Sequence, residues 1–349
     1  MSEEVRAALA AVIEGRTLEV EEARLAMGSV MDGDATPAQL AALLVALRMR
    51  GETVEELTGF ATAMRERVLR VEAPVGTIDV VGTGGDGSGT FNISTTSALV
   101  VAAAGVPVAK HGNRAITSRS GSADVLEALG VRVDHSAESA AEDLRRFGFA
   151  FLFAQGFHPA MRHAGPTRRE IGVRTAFNLL GPLTNPAGAT RALIGVGDAT
   201  VAPRIAEVAQ RLGTERALVV CGTGVDELPL DGSGVILDVT PDGIRESTID
   251  PGAVGLRAAA TSDLGGGTAD ENAALTVSIL EGHGEARRDV VLLNAGAAFV
   301  AAGRVQTVTD GIALAAETID SGAARQLLEL MREAKVAFEA ERSQAESAP

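Results

Sequence analysis

The sequence predicts an α/β protein, with a small all-helical N-terminal domain followed by a larger α/β domain built on a mostly parallel central sheet. Two observations lead to this prediction. Apolar residues recur at helical spacing through residues 1–70, and no strand-like run occurs before Ile78. From Ile78 onward, short β-branched runs alternate with helical runs, as they do in parallel sheets with helices on both faces. The length of 349 residues also favours about two domains.

Helix start signals define the N-terminal domain. A capping box at Thr36 and Gln39 predicts one helix, and a second box at Thr53 and Glu56 predicts another. In each box the first side chain caps the helix and the second bonds back to the backbone of the first residue. We predict a helical domain over residues 1–73.

The α/β domain is predicted over residues 77–341, with a frayed tail over residues 342–349. Short runs rich in β-branched residues predict strands at 78–81, 106–110, 149–154, 191–196 and 216–221. Helical patterns predict helices at 95–104, 122–129, 137–146, 271–281, 288–302, 308–319 and 322–341. Residues 232–250 predict further short strands, separated by turns.

Composition and charge exclude several classes of function. The formal net charge is −15, whereas a general nucleic-acid-binding surface is basic, so no nucleic-acid partner is expected. Cys221 is the only cysteine, which rules out an intrachain disulfide. The N-terminal stretch MSEEVRAALA lacks the apolar core of a signal peptide, and no apolar run reaches the length of a membrane span. We therefore expect a cytoplasmic protein with no membrane partner.

The strongest functional signal is the stretch from Thr77 to Thr96, TIDVVGTGGDGSGTFNISTT. A predicted strand leads into a loop with five glycines, and helix-starting residue types follow the loop. Glycine lets backbone N–H groups approach an anion closely, and the helix N-terminus favours negative charge. The pattern therefore predicts a phosphate-binding loop.

Other glycine-rich phosphate loops fit this stretch less well. The P-loop requires a lysine that closes the glycines, and this loop has none. Gly82, Gly84 and Gly87 spell the dinucleotide fingerprint, but that fingerprint expects an acidic residue about 20 residues further on. Here the next predicted strand ends in Lys110, and Arg114 follows. Basic groups at the end of a neighbouring strand are suited to additional phosphate.

The chain resembles the anthranilate phosphoribosyltransferase family, which has the nucleoside phosphorylase/phosphoribosyltransferase fold. The resemblance covers most of the chain from Ala38 onward, and it rests on GTGGDGSGTFNIST, KHGNRAITSRSGSADVLEALG, HPAMRHAGPTRREIGVRTAFNLLGPLTNPA, VDEL and RRDVVLLNAGAA. It implies a helical domain joined to an α/β domain, with the active site in the cleft between them. It further implies that part of the segment at about 170–185 returns to the helical domain, and that the chain forms a homodimer.

The resemblance implies a pentosyltransferase of tryptophan biosynthesis. The reaction would transfer phosphoribose from 5-phosphoribosyl 1-diphosphate (PRPP) to anthranilate, giving N-(5-phosphoribosyl)anthranilate and diphosphate. The expected cofactor is Mg²⁺, with two ions per active site. An aromatic amine is already unprotonated near neutral pH, so no residue is assigned as a catalytic acid or base. His111 remains open as a base, a phosphate contact or an ordinary loop histidine.

The resemblance also assigns site residues. The positions implied for PRPP are Gly82, Gly85, Asp86, Thr90, Asn92, Ile93, Ser94, Thr95, Lys110, His111, Gly112, Asn113, Arg114, Ala115, Ile116, Thr117, Ser118 and Ser122. The positions implied for anthranilate are Gly82, Asn113 and Arg168, where the arginine would bind the substrate carboxylate in a bidentate manner. The positions implied for the metal are Ser94, Asp226 and Glu227. Adjacent carboxylates are commonly just solvated, but Mg²⁺ prefers such oxygen ligands beside a diphosphate.

Two alternatives remain at this point. A pyrimidine nucleoside phosphorylase shares the fold and a similar glycine loop, but lacks the KHGNR and RREIG segments. A non-catalytic, nucleic-acid-binding relative is the second alternative, and the net charge and the VDEL pair count against it. The chain also departs from the usual family pattern in CGTGVDEL, in GEARRD and at Thr167, and these departures affect loop shape.

Overall fold

The structure is a computed structural model that describes residues 1–115 and 119–346. The N-terminal helices are α1 (Glu3–Ile13), α2 (Val20–Asp32), α3 (Pro37–Arg50) and α4 (Val54–Glu66). Both predicted capping boxes are present. Thr36 Oγ1 accepts from the Gln39 N–H at 3.2 Å, and Thr53 Oγ1 accepts from the Glu56 N–H at 3.2 Å. The prediction of a small helical N-terminal domain is confirmed.

The second part of the chain is organised around a single sheet. Its strands are β1 (Ile78–Gly82), β2 (Val108–Gly112), β3 (Phe149–Phe153), β4 (Arg191–Gly195), β5 (Arg216–Cys221), β6 (Gly234–Thr240) and β7 (Gly243–Ile249). In the described residues the order is β3-β2-β1-β4-β5-β6-β7. The pairs among β1 to β5 are parallel, whereas β6 and β7 join as an antiparallel edge. The prediction of a mostly parallel sheet is therefore confirmed. From β1 the chain first adds β2 and β3 on one side and then crosses to add β4 and β5 on the other side. Open α/β sheets bind ligands at such a switch point, which here lies between β1 and β4.

Helices cover the sheet and confirm each predicted helical run to within a few residues. They are α5 (Ile93–Ala103), α6 (Ser122–Ala128), α7 (Ala137–Phe147), α8 (Ala154–Phe157), α9 (Gly165–Ile171), α10 (Phe177–Leu180), α11 (Ala202–Arg211), α12 (Ala269–Leu280), α13 (Ala286–Ala301), α14 (Val308–Asp320) and α15 (Ala323–Glu346). The predicted tail is corrected, because α15 continues to Glu346. Four of the five residues of this extension, 342–346, are Arg, Gln, Ala and Glu, which favour helix. Residues 347–349 lie outside the described part.

Two large hydrophobic cores lie on opposite faces of the sheet. Leu193 belongs to one and Ile194 to the other, because successive side chains of a strand point to opposite faces. The core that contains Ile194 also contains Phe60 of α4 and Phe177 and Leu180 of α10. The helical domain and the segment at 170–185 therefore pack together on one face of the sheet, while the exact domain division stays a prediction.

No helix within residues 1–115 and 119–346 combines the length and the apolar character that a membrane span needs.

Candidate active site

The glycine loop between β1 and α5 is fixed at both ends. The Thr83 N–H donates to the Gly195 carbonyl at 2.9 Å, and the Gly266 N–H donates to the Gly89 carbonyl at 2.9 Å. Between these anchors the backbone is left-handed at several glycines, with φ of 67° at Gly84 and 66° at Gly85. Such values favour glycine, so the loop follows a path that other residue types would strain.

The centre of the loop presents unused hydrogen-bond donors. The N–H groups of Gly85, Asp86 and Gly87 are consecutive, and none donates to an acceptor in residues 1–115 or 119–346. Successive backbone N–H groups in a turn of this kind form a concave site for an anion. The loop therefore has the geometry of a phosphate site.

Two strand-end glycines make room for the loop that carries the paired carboxylates. A Cβ at Gly82 would overlap the Asp226 carboxylate, and a Cβ at Gly195 would overlap the Asp226 backbone carbonyl. Asp226 Oδ2 accepts from the Gly84 N–H at 2.8 Å. The Asp226 N–H in turn donates to Asp86 Oδ2 at 3.2 Å. The carboxylate loop and the glycine loop are thus held together directly above the ends of β1 and β4.

The second carboxylate of the pair reaches the start of α5. Glu227 Oε1 accepts from the Ser94 N–H at 3.0 Å. Lys110 lies beneath both groups, only 2% exposed, and its Nζ donates to the Val80 carbonyl at 2.6 Å and to Ser94 Oγ at 3.3 Å. The structure thus brings together the residues that were predicted for a metal, although their role as ligands stays a prediction.

Burial makes the ionised state of these carboxylates unfavourable. Burial and the neighbouring Asp86 raise the pKa of Asp226 to about 7. Burial and Asp226 raise the pKa of Glu227 well above its usual value, while Lys110 opposes the shift. The pKa of Lys110 is itself lowered by burial, and the nearby carboxylates oppose that shift. Charges that disfavour one another in this way would be stabilised by a cation beside them.

The donor set fits Mg²⁺. Ser94 Oγ and the carboxylates of Asp226 and Glu227 are hard oxygen ligands of the kind that Mg²⁺ prefers. Among the described residues, no group of three or more His, Cys, Asp or Glu side chains has an arrangement that holds a metal by itself. Protein Mg²⁺ sites commonly use one or two carboxylates together with phosphate oxygens of the substrate. The residues therefore fit a metal that is bound jointly with a phosphate ligand.

His111 follows Lys110 in β2 and is fully enclosed. The backbone N–H of His111 donates to Asp79 Oδ1 at 3.1 Å, and the ring atom Nδ1 lies 3.0 Å from the Gly181 carbonyl oxygen. Burial, aided by the nearby His158 ring, lowers the pKa of His111 to about 3. An imidazole with so low a pKa is a weak base near neutral pH. Among the roles left open for His111, general base is therefore disfavoured.

A buried polar pair behind this strand was missed from the sequence. Burial raises the pKa of Asp79 to about 6, and Asn185 opposes the shift by donating to Asp79 Oδ2 at 2.7 Å. Asn185 also donates to the Ala109 carbonyl at 2.8 Å. The pair joins β1, β2 and the segment between β3 and β4 (residues 154–190), here called the central segment. The available signal was an aspartate inside the apolar strand IDVV, where a charged residue needs a partner.

The structure places Arg114 away from the glycine loop. Its Nη1 pairs with Asp124 Oδ1 at 3.0 Å and with Glu127 Oε2 at 2.7 Å. Its guanidinium also lies 5.7 Å from the centre of the Phe153 ring. A phosphate contact by Arg114 would have to compete with two carboxylates, so that role stays a prediction.

The remaining predicted PRPP positions lie along the same two segments. Asn113 Oδ1 accepts from the Arg114 N–H at 2.9 Å, and Ser122 Oγ donates to the Asn113 carbonyl at 3.2 Å. Asp124, which was not predicted, accepts from the Ala115 N–H at 2.9 Å. Gly82, Gly112, Thr90, Asn92, Ile93 and Thr95 frame the strand ends and the start of α5. Ile116, Thr117 and Ser118 lie outside the described residues.

Arg168 has the environment expected of a carboxylate-binding residue. It lies on α9, with its guanidinium carbon 4.8 Å from the centre of the Phe177 ring. Burial lowers the pKa of Arg168. No carboxylate in residues 1–115 or 119–346 pairs with it. A half-buried guanidinium without a counter-charge is suited to receive a carboxylate from a ligand.

Comparison with known proteins identifies both parts of the chain. A family model described as the a/b domain of a glycosyl transferase family matches residues 75–325, and one described as its helical bundle domain matches residues 6–68. An anthranilate phosphoribosyltransferase from Pelotomaculum thermopropionicum is 51% identical over 332 residues, covering 93% of this chain and 96% of that protein. The crystal structure of anthranilate phosphoribosyltransferase from Thermus thermophilus is 48% identical, with a TM-score of 0.88 over 93% of this chain and 98% of that one.

A further similar structure contains ligands. It is anthranilate phosphoribosyltransferase from Saccharomyces cerevisiae in complex with PRPP and Mg. It is 26% identical to this chain, with a TM-score of 0.87, and the match covers 96% of this chain and 99% of that one.

The first prediction concerns the centre of the glycine loop. Gly85→Val should weaken binding of diphosphate by about tenfold or more, because the site needs a left-handed backbone and close approach of N–H groups. An added Cβ would also lie 3.3 Å from the Arg174 guanidinium. Isothermal titration with diphosphate and Mg²⁺ measures the affinity. Gly255→Val is the matched control, since its φ is 82° and it lies on a distant exposed turn. Unchanged affinity of Gly85→Val with an unchanged melting temperature would show that the loop is not the anion site.

Proposed function

The chain belongs to the anthranilate phosphoribosyltransferase family, and from this premise we propose that it transfers the phosphoribosyl group of PRPP to anthranilate. One observation supports the proposal above the others. The open N–H groups of Gly85, Asp86 and Gly87 lie beside the buried pair Asp226 and Glu227. A diphosphate with Mg²⁺ would satisfy both features at once.

The residues of the chain have definite tasks in this reaction. The bond between the ribose C1 and the diphosphate breaks, a bond between C1 and the amine nitrogen forms, and the amine proton goes to solvent. Negative charge gathers on the departing diphosphate, where the loop N–H groups can stabilise it. Lys110 offsets part of the charge of Asp226 and Glu227. Much of the acceleration would come from holding the two substrates in position.

Magnesium is the cofactor of this proposal. When bound, Mg²⁺ supplies positive charge to the departing diphosphate. Ser94, Asp226 and Glu227 would hold it. We infer two ions per active site, because the adjacent carboxylates face different neighbours. Asp226 bonds to the Gly84 N–H, whereas Glu227 bonds to the Ser94 N–H.

The acceptor side of the cleft is assigned to Arg168, Asn113 and Gly82. Arg168 would bind the anthranilate carboxylate through its planar guanidinium. The amine needs no strong base, which agrees with the low pKa of the enclosed His111. We assign no residue as a catalytic acid or base.

We also propose an oligomeric state, a pathway and a cellular location for the enzyme. A homodimer formed through the helical domain would cover exposed apolar side chains there, such as Ile13 and Met49, which are 70% and 84% exposed. The proposed reaction places the chain in tryptophan biosynthesis, and we propose a cytoplasmic location. The net charge of −15 disfavours a nucleic-acid-binding role.

An activity assay tests the proposal. When purified protein is mixed with PRPP, Mg²⁺ and anthranilate, the fluorescence of anthranilate should fall. The amount of diphosphate released should equal the amount of anthranilate consumed, and chelation of the metal should stop both changes. Phosphorolysis of thymidine or uridine without anthranilate transfer would instead support a pyrimidine nucleoside phosphorylase. Tight binding to DNA in a gel-shift assay, without transfer, would support a non-catalytic relative.

The second prediction concerns the carboxylate pair. Asp226→Asn combined with Glu227→Gln should abolish most of the activity, because Mg²⁺ loses both charged ligands. The metal-free variant should melt at or above the temperature of the metal-free parent protein. The amides retain acceptors for the Gly84 and Ser94 N–H groups and remove buried charge. Steady-state rates and calorimetric melting measure both effects. Asp242→Asn with Glu246→Gln, on an exposed hairpin, is the control. Full activity at limiting magnesium would remove Asp226 and Glu227 from the metal site.

The third prediction separates the two substrates. Arg168→Ala should lower kcat/KM for anthranilate by about 10- to 150-fold, the effect of losing a charge-assisted hydrogen bond. The loss should fall mainly on KM, and Arg168→Lys should recover only part of it, since lysine lacks the planar fork. Arg169→Ala, an exposed neighbour on α9, is the control. A raised KM for PRPP with an unchanged KM for anthranilate would instead place Arg168 in the phosphate site.

A further inference from the structure

A second arginine of the central segment contacts the glycine loop. Arg174 lies between α9 and α10, and its Nη1 donates to the Gly85 carbonyl oxygen at 2.7 Å. In residues 1–115 and 119–346 it is the one cationic side chain that donates a hydrogen bond to the loop at 83–89. Sequence reasoning did not single it out.

This contact sets the direction of a neighbouring donor. In a trans peptide the carbonyl of one residue and the N–H of the next point in opposite directions. Arg174 therefore draws the Gly85 carbonyl towards the central segment and directs the Asp86 N–H to the opposite side. The Asp86 N–H is the middle member of the three open donors. Since Gly85 is left-handed and carries no side chain, little else in its own structure fixes this peptide plane.

From this geometry we propose that Arg174 is a positioning residue for the diphosphate of PRPP. Its guanidinium holds the Gly85–Asp86 peptide so that the loop N–H groups point to the departing diphosphate, and Arg174 itself does not touch the reacting atoms. The inference rests on the proposed function. It also gives the central segment two separate tasks, because Arg168 on α9 faces the acceptor while Arg174 orders the donor loop.

Because Arg174 is exposed, a positioning role can be distinguished from a role in stabilising the fold. Arg174 is exposed, and Gly85 is exposed as well. Water can replace an exposed hydrogen bond at small cost to stability, so removing the side chain should leave the fold intact. The orientation of the loop peptide, however, would no longer be fixed before the ligand binds, and that ordering cost would appear in the affinity.

Substitution at Arg174 tests the proposal with PRPP and diphosphate as probes. Arg174→Ala should raise KM for PRPP, and the dissociation constant of diphosphate measured with Mg²⁺, by about 5- to 30-fold. KM for anthranilate should stay within about twofold of the parent value, as should the diphosphate affinity of the control Arg162→Ala. Arg174→Lys should restore part of the affinity, because lysine still donates one hydrogen bond.

Two outcomes would overturn the inference. One is an unchanged KM for PRPP in Arg174→Ala, and the other is an equal rise in KM for both substrates, which would indicate general disorder of the cleft. Calorimetric melting of each variant shows whether the fold has been kept. If the parent protein neither binds PRPP nor transfers its phosphoribosyl group, the proposed function fails instead. A failure of the proposed function can therefore be told apart from a failure of the inference about Arg174.

Discussion

The site depends on one electrostatic constraint: three carboxylates, those of Asp86, Asp226 and Glu227, are gathered where parallel strands end. Burial and mutual repulsion raise the pKa values of Asp226 and Glu227. Gly82 and Gly195 lie beneath this group because a side chain at either position would overlap Asp226. The two glycines thus leave room for Asp226, Lys110 offsets part of the charge of Glu227, and a bound cation would favour the ionised carboxylates.

The same constraint explains why the Asp226 and Glu227 carboxylates and the N–H groups suited to a diphosphate lie on different loops. An anionic diphosphate would be repelled by the carboxylates, yet the Gly85, Asp86 and Gly87 N–H groups beside them are suited to bind it. A bound Mg²⁺ would resolve this conflict, since it would attract the carboxylates and the phosphate oxygens together. The central segment packs on the helical domain and carries Arg168 and Arg174.

The sequence predicted most elements of the fold because their signals are local. β-Branched runs and capping boxes specify strands and helix starts within a few residues, and the glycine loop is one continuous stretch. What it missed depends on contacts between distant segments, such as Arg174 with Gly85 and Asn185 with Asp79. The ion pairs of Arg114 with Asp124 and Glu127 join residues that are closer in the sequence, but no local motif marks them. The helix α11 was not predicted, although its buried residues Ala202, Ile205 and Ala209 recur at helical spacing.

We propose that the buried carboxylates and the glycine loop form one site that is completed by a metal and a diphosphate together. Calorimetric titration of PRPP into the protein tests this most directly, once with saturating Mg²⁺ and once with the metal removed. We expect PRPP to bind about tenfold or more tightly with Mg²⁺, because the metal would contact both the carboxylates and the phosphate oxygens, whereas ionised carboxylates alone would repel the diphosphate. Equal or tighter binding without Mg²⁺ would show that the diphosphate is held without regard to the charge of Asp226 and Glu227.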